Sequence, residues 1–412
     1  NTAYGHEAMD AITTGDDNTA IGYNALSATT TGGLNVAIGK DSLTANTTGA
    51  ANVAVGVDAL SANTTGTRNI AIGRSAMPAA DTESDNLAIG YQAMDANNAG
   101  GTRNVAIGNY AMDAHTSGDK NVAIGYGAMG ANTSAGECVA IGDEALSSLA
   151  NTSNASVAVG FQALKANLTH SNVAVGHSAL LATTTGHSNT AIGTNAGAAN
   201  TTGLRNIAIG TEAYDASDTE NDNIAIGYQA MTTNTAGGAE NVAIGNYALD
   251  ALTSGDGNIA IGQNAGTTTT TAISNIAIGR AALQLTTTGG YNVGIGQSAM
   301  EANTTGDSNV AIGMNVMALN TTGVANTAIG RNALDANTTA SHGTAIGYNA
   351  LTANTTGEWN VAIGRQAMET STTIAETVAV GSKALRLNTG AGNTAIGHAT
   401  LENNSTGTGN VA

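Results

Sequence analysis

Two short acidic runs hold the residues best suited to chemistry. Asp81, Glu83 and Asp85 stand in the pattern D-T-E-x-D, and Asp218, Glu220 and Asp222 repeat it. In an extended chain, side chains two residues apart lie on one face. Three carboxylates on one face are hard oxygen ligands of the kind Ca²⁺ takes. The runs are therefore candidate calcium sites, set against the reading that they are solvated acidic corners.

No other cofactor is implied. The seven histidines (His6, His115, His170, His177, His187, His342 and His398) fall in several sequence contexts. They form no close ladder in the sequence and are expected on surface loops. Cys138 is the one cysteine and is expected to be a small buried side chain rather than a nucleophile. No nucleophile, base and orienter can be assembled, and G-x-x-x-x-G-K-[ST] is absent, so no reaction is assigned. Tyr23, Tyr91, Tyr126, Phe161, Tyr228 and Tyr348 share one slot with Arg74, Arg280, Arg331 and Arg365. Exposed aromatics of this kind could stack on sugars or simply cover the surface. Asn46, Asn63, Asn303, Asn320 and Asn354 each begin N-T-T, which fits the N-x-[ST] glycosylation pattern.

All of these residues are positioned by a repeat. Asn35 to Ala51 reads NVAIGKDSLTANTTGAA, and seventeen residues on the chain reads NVAVGVDALSANTTGTR. The glycine of A-I-G or A-V-G recurs 24 times, with spacings of 17 except for three of 18 and two of 16. A fixed short period denotes a solenoid or array. Residues 1–412 are read as one continuous array of 24 complete coils, a piece of a longer fibre. A block also recurs at longer range, with residues 69–127 returning at 206–264.

Counting from the glycine, the residue four before it is Asn in 20 of 24 repeats; Cys138, Ser156, Gly343 and Thr377 replace it. V-A-I reads as a short strand, with Val36 and Ile38 on one face and Ala37 on the other. The alanine is constant except for Gly294, which suggests packing on its side as well. A strand buried on both faces reads as a continuous apolar run. The plus-four position is Leu or Met except at Gly197, Tyr214 and Gly266, and it marks a second buried extended segment. N-T-T-G closes the coil as a turn. The fold class is therefore all-β, a parallel β-roll or β-solenoid of about 17 residues per coil. The constant alanine is expected at an interface between chains, or else in the interior of a single wide roll.

The net charge is −18. Nucleic-acid binding rests on Lys and Arg neutralising phosphates, so a nucleic-acid partner is excluded. No apolar run approaches the length of a membrane-spanning helix, so no membrane insertion is expected in this segment.

N-x-V-A-I-G followed by x-x-A/S resembles the head repeats of trimeric autotransporter adhesins, whose motif is close to N-S-V-A-I-G-x-x-S. N-T-A-I-G-x-x-A-L-x-x-N-T-T-G is similar to repeats of bacterial and phage tail-fibre proteins. The resemblance covers the whole chain, with each repeat longer than the adhesin motif by about an N-T-T insertion and with no neck or stalk following. It implies a left-handed roll, a homotrimer, and a non-enzymatic adhesive fibre segment that is extracellular, on a cell surface or on a virion. It implies a cell-surface glycan or receptor as partner. An ice-binding solenoid and a glycan-degrading tail spike are the rival readings. Where spacings of 18 and 16 adjoin, an outward loop is expected around Leu149 to Asn154, with the strands on either side in register.

Overall fold

The computed structural model describes residues 1–98, 100–148, 155–234 and 236–412. The expected loop around Leu149 to Asn154 lies outside the described residues. The chain forms two compact units, Asn1–Arg205 and Asn206–Ala412. Among the described residues, the first holds twelve strands, from β1 (Thr2–Tyr4) to β12 (Thr190–Ile192). The second also holds twelve, from β13 (Ile207–Ile209) to β24 (Thr394–Ile396). Every strand is three residues long, and the described residues contain no helix. Each unit is a parallel β-solenoid of about 17 residues per turn. Equivalent residues pair directly, as in Val36↔Val53, Ala37↔Ala54 and Ile38↔Val55.

Irregular spacings do not disturb this register. β9 (Val139–Ile141) and β10 (Val157–Val159) pair Val139 with Val157, although an extra residue lies between them. β10 and β11 (Val173–Val175) pair Val157 with Val173 across the shortened repeat. The strands stay in register across both irregular spacings, as expected.

The strand faces are arranged differently from the sequence reading. Ala37 is the inward residue and is fully buried within its own unit, while Ile38 is 37% exposed and Val36 half-buried. The constant alanine is thus a core position and not an interface position. Width is the reason. Leu43, Asn35 and Asn46 also point inward and are fully buried, so the strand can contribute only a methyl group. At Gly294, the one exception, a Cβ would lie 3.1 Å from Leu283 Cγ. The leucine or methionine row therefore packs directly on the alanine row.

The expected second extended segment is a chain of turns. Ser42 and Leu43 are adjacent and both buried, which an alternating strand does not permit. Asp41 and Leu43 have φ of 56° and 48°, and this left-handed backbone turns both neighbours inward. A third left-handed residue, Ala51 (φ 58°), ends the turn. The same three positions recur throughout, and Gly197 and Gly266 adopt this conformation at the plus-four position. Backbone pairing continues through the segment. Leu43 N–H donates to Ala59 O (3.0 Å) in the following turn, and Asp41 N–H donates to Tyr23 O (2.9 Å) in the preceding one.

The repeat glycine is fixed by close approach. A Cβ on Gly39 would sit 2.4 Å from the Gly56 carbonyl oxygen, at φ of 137°. Gly39→Ala should therefore destabilise its unit by roughly 3 kcal/mol or more. Exposed Ala51 carries left-handed strain of about 1–2 kcal/mol, against a glycine entropy cost of roughly 0.5–1 kcal/mol. Ala51→Gly should raise the melting temperature while Gly39→Ala lowers it, and thermal melts followed by circular dichroism read both. Equal effects of the two variants would contradict this assignment.

Candidate functional site: the corners, the histidines and the aromatic row

Two interior ladders of asparagine organise each corner. Asn35 Nδ2 donates to Gly49 O (2.9 Å), crossing the turn, and its Oδ1 accepts from Asn52 N–H (2.9 Å) in the next. Asn46 Nδ2 donates to the same Gly49 O (3.0 Å), and its Oδ1 accepts from Asn63 Nδ2 (2.8 Å). A Cβ on Gly49 would lie 2.2 Å from Asn46 Oδ1. Asparagine at the plus-seven position thus usually goes with glycine at the plus-ten position, while Ala135 and Ala340 accept the same bond from Asn132 and Asn337.

The acidic runs break this pair in a compensated way. Glu83 occupies the glycine position, and Ala80 stands where the asparagine would be. The Glu83 side chain turns into the vacated space and is buried. Its Oε2 accepts from Asp81 N–H (2.6 Å) and Thr82 N–H (2.9 Å), and its Oε1 from Gly100 N–H (2.9 Å). In the second unit Ser217 and Glu220 replace the pair. Glu220 Oε2 accepts from Asp218 and Thr219 N–H (3.0 Å each), and Oε1 from Gly237 N–H (3.1 Å). Ser371 with Ile374 trades volume across the corner in the same way.

The carboxylates of each run therefore diverge. Asp81 and Asp85 are exposed while Glu83 points inward. Asp85 pairs with Arg68 Nε (2.5 Å), whose guanidinium holds its pKa below the usual carboxylate range. Asp81 accepts from the Thr64 hydroxyl. Asp218 and Asp222 are likewise exposed around buried Glu220. The spacing does not bring three carboxylates to one face, and no group of three or more His, Cys, Asp or Glu side chains among the described residues could hold a metal ion.

The histidines depart from the sequence reading in two respects. His115 lies in the interior, not on a surface loop, with its ring in the plus-seven asparagine ladder. Its Nε2 contacts Gly118 O at 2.8 Å, and its Nδ1 has no partner. Burial pushes its pKa down, with the Gly118 bond and Asp119 partly opposing. His170 and His187 stack on successive turns with centroids 5.4 Å apart, so one close pair does form. Cys138 is buried as expected, with its pKa raised by burial, and its N–H donates to Asn121 Oδ1 (3.0 Å). The N-T-T asparagines are not available acceptors in the folded chain, because Asn46, Asn63, Asn303, Asn320 and Asn354 are all fully buried.

The plus-one aromatics do lie on the outside. Tyr126 is 53% exposed and Tyr228 41%. Position alone missed Tyr110 and Tyr247, which sit one residue later and bridge neighbouring turns. Tyr91, Tyr110 and Tyr126 have centroids 5.4 and 5.6 Å apart, edge to face. Tyr228 and Tyr247 repeat the contact at 5.4 Å. Elsewhere His342 stacks on Trp359 at 4.0 Å.

No protein-family model and no curated protein matches the chain.

The corner compensation is testable. Ala80→Asn alone crowds Glu83, and Glu83→Gly alone strips three N–H groups of their acceptor. Together they rebuild a regular corner, so the pair should show a coupling of about 2 kcal/mol in denaturant melts, and additive effects would refute the swap.

His115 gives a second test. Its folded pKa is below the unfolded value, so its contribution is intact above pH of about 6.5 and is lost as pH falls below that, where only the unfolded chain takes up the proton. His115→Asn should reduce the drop in melting temperature between pH 7.5 and pH 5. An unchanged drop would remove His115 as a source of acid sensitivity.

Proposed function

We propose that the chain is a non-enzymatic structural and adhesive segment of an extracellular fibre, on a cell surface or a virion, in which copies of the chain pack side by side. The observation that carries this reading is the outward strand face. In turn after turn it presents two columns of β-branched residues, such as Val36 and Ile38, over Val53 and Val55. Ile21, Ile38, Ile72, Ile124 and Ile192 are each more than a third exposed. A solvent-facing strand would carry polar residues at these positions, and contiguous apolar patches of this kind mark interaction surfaces.

A second copy suits the face because it has the same axial period. Strand spacing of about 4.8 Å per turn keeps two such stacks in step over many turns. Three copies is the arrangement that the adhesin-like repeats imply. Repetition then gives many weak contacts whose avidity multiplies.

The test is mass in solution. The wild-type chain should be oligomeric by light scattering, and Ile21→Lys/Ile38→Lys/Ile72→Lys should lower the mass while the circular dichroism spectrum is retained. A wild-type monomer would overturn the packing. A monomer that produced thermal hysteresis would instead favour the ice-binding reading, for which a flat, regular strand face is also suited.

A further inference from the structure

We propose that Tyr91, Tyr110 and Tyr126 in the first unit form a binding site for a neutral polysaccharide chain, and that Tyr228 and Tyr247 form a shorter one in the second. This rests on the adhesive reading above and names its ligand class. The rings stand on successive turns, and the plane of Tyr110, which lies between its neighbours, is at 85° to Tyr91 and 77° to Tyr126. Tyr91 and Tyr126 are two turns apart, about 10 Å at the usual strand spacing. Alternate rings of an extended β-1,4-linked hexose chain recur at a similar interval. Two tyrosines at this interval can therefore contact alternate sugars, with Tyr110 between them.

Polar groups flank the rings. The Arg74 guanidinium lies over the Tyr91 ring, 5.9 Å from its centroid, and extends the row by one turn. Asp95 and Asp113 lie half-buried on neighbouring turns, and burial raises the pKa of both. Asp113 is also close enough to act on Tyr110. Carboxyl groups beside aromatic rings suit the hydroxyls of a sugar. The second unit repeats the construction. Tyr228 N–H donates to Asn246 Oδ1 (3.1 Å) as Tyr91 N–H donates to Asn109 Oδ1 (2.9 Å), and the next turn carries Asp250 as Asp113 does in the first. Thr211 and Gln263 take the places of Arg74 and Tyr126, so this row has two rings rather than three.

Folding does not require these rings. Lys40, Thr194, Thr211 and Gln297 occupy the plus-one position elsewhere, and Asn24, Asn195 and Asn332 the plus-two position. The net charge of −18 repels anionic glycans, which leaves neutral chains as the ligand class.

The test is calorimetric titration of the full chain with cellohexaose, with polygalacturonate as the anionic comparison. The wild-type chain should bind cellohexaose and not polygalacturonate. Tyr91→Thr/Tyr110→Asn/Tyr126→Thr should weaken the tighter class of site by about tenfold or more. Adding Tyr228→Thr/Tyr247→Asn should abolish binding. All replacements are residues the same positions already carry, and melting temperature and light-scattering mass should stay at wild-type values. Failure of wild-type protein to bind cellohexaose, or unchanged affinity in the five-residue variant, would overturn the site. Loss of oligomeric mass in wild-type protein would count against side-by-side packing and not against the site, because the titration is read separately.

Discussion

Most turns are closed by an amide that reaches across the interior. Asn35 donates from Nδ2 to the far corner, and its Oδ1 accepts from a backbone N–H of the next turn. A buried amide left unpaired is costly, so this double engagement fixes both the width of the turn and its step to the next. The other interior residues follow from that width. The strand gives a methyl, the opposite segment a leucine or methionine, and the corner a glycine. Where the asparagine is lost, the neighbouring turns adapt. Thr377 and Gly343 keep their own N–H on the preceding Oδ1, at 3.1 and 2.7 Å. Ser156 offers its hydroxyl to Asn172 N–H at 3.4 Å.

Much of this was legible in the sequence because the period is short and strict. The V-A-I strand, the turn glycine, the buried leucine row and the asparagine ladder all follow from residue types that recur at one spacing. In-register pairing across the irregular repeats also followed, since an extra residue in a corner leaves the ladder intact whereas one in a strand must bulge out or break pairing.

What was not legible has two causes. Reasoning by alternation assumes that neighbouring side chains point to opposite faces, and left-handed residues break that rule. Ser42 and Leu43 enter the core together because Leu43 has positive φ. Glu83 enters it because Ala80 leaves room, a relation between two positions that spacing within D-T-E-x-D does not express. His115 was missed for the same reason. Its sequence neighbourhood is polar, but it stands in the plus-seven position, where most of the described residues are buried. Reading by position in the repeat rather than by residue type would have placed it correctly.

The burial of Asn46 and its equivalents reaches beyond the folded state. The nitrogen that anchors the corner is the one an oligosaccharyl transferase would modify. Before a turn closes, N-T-T is an open acceptor; after it closes, the amide is inside the stack and engaged. In a secretory pathway equipped for N-glycosylation, modification and folding would therefore compete in time for one atom, and a sugar that arrived first would leave that turn no interior to close around.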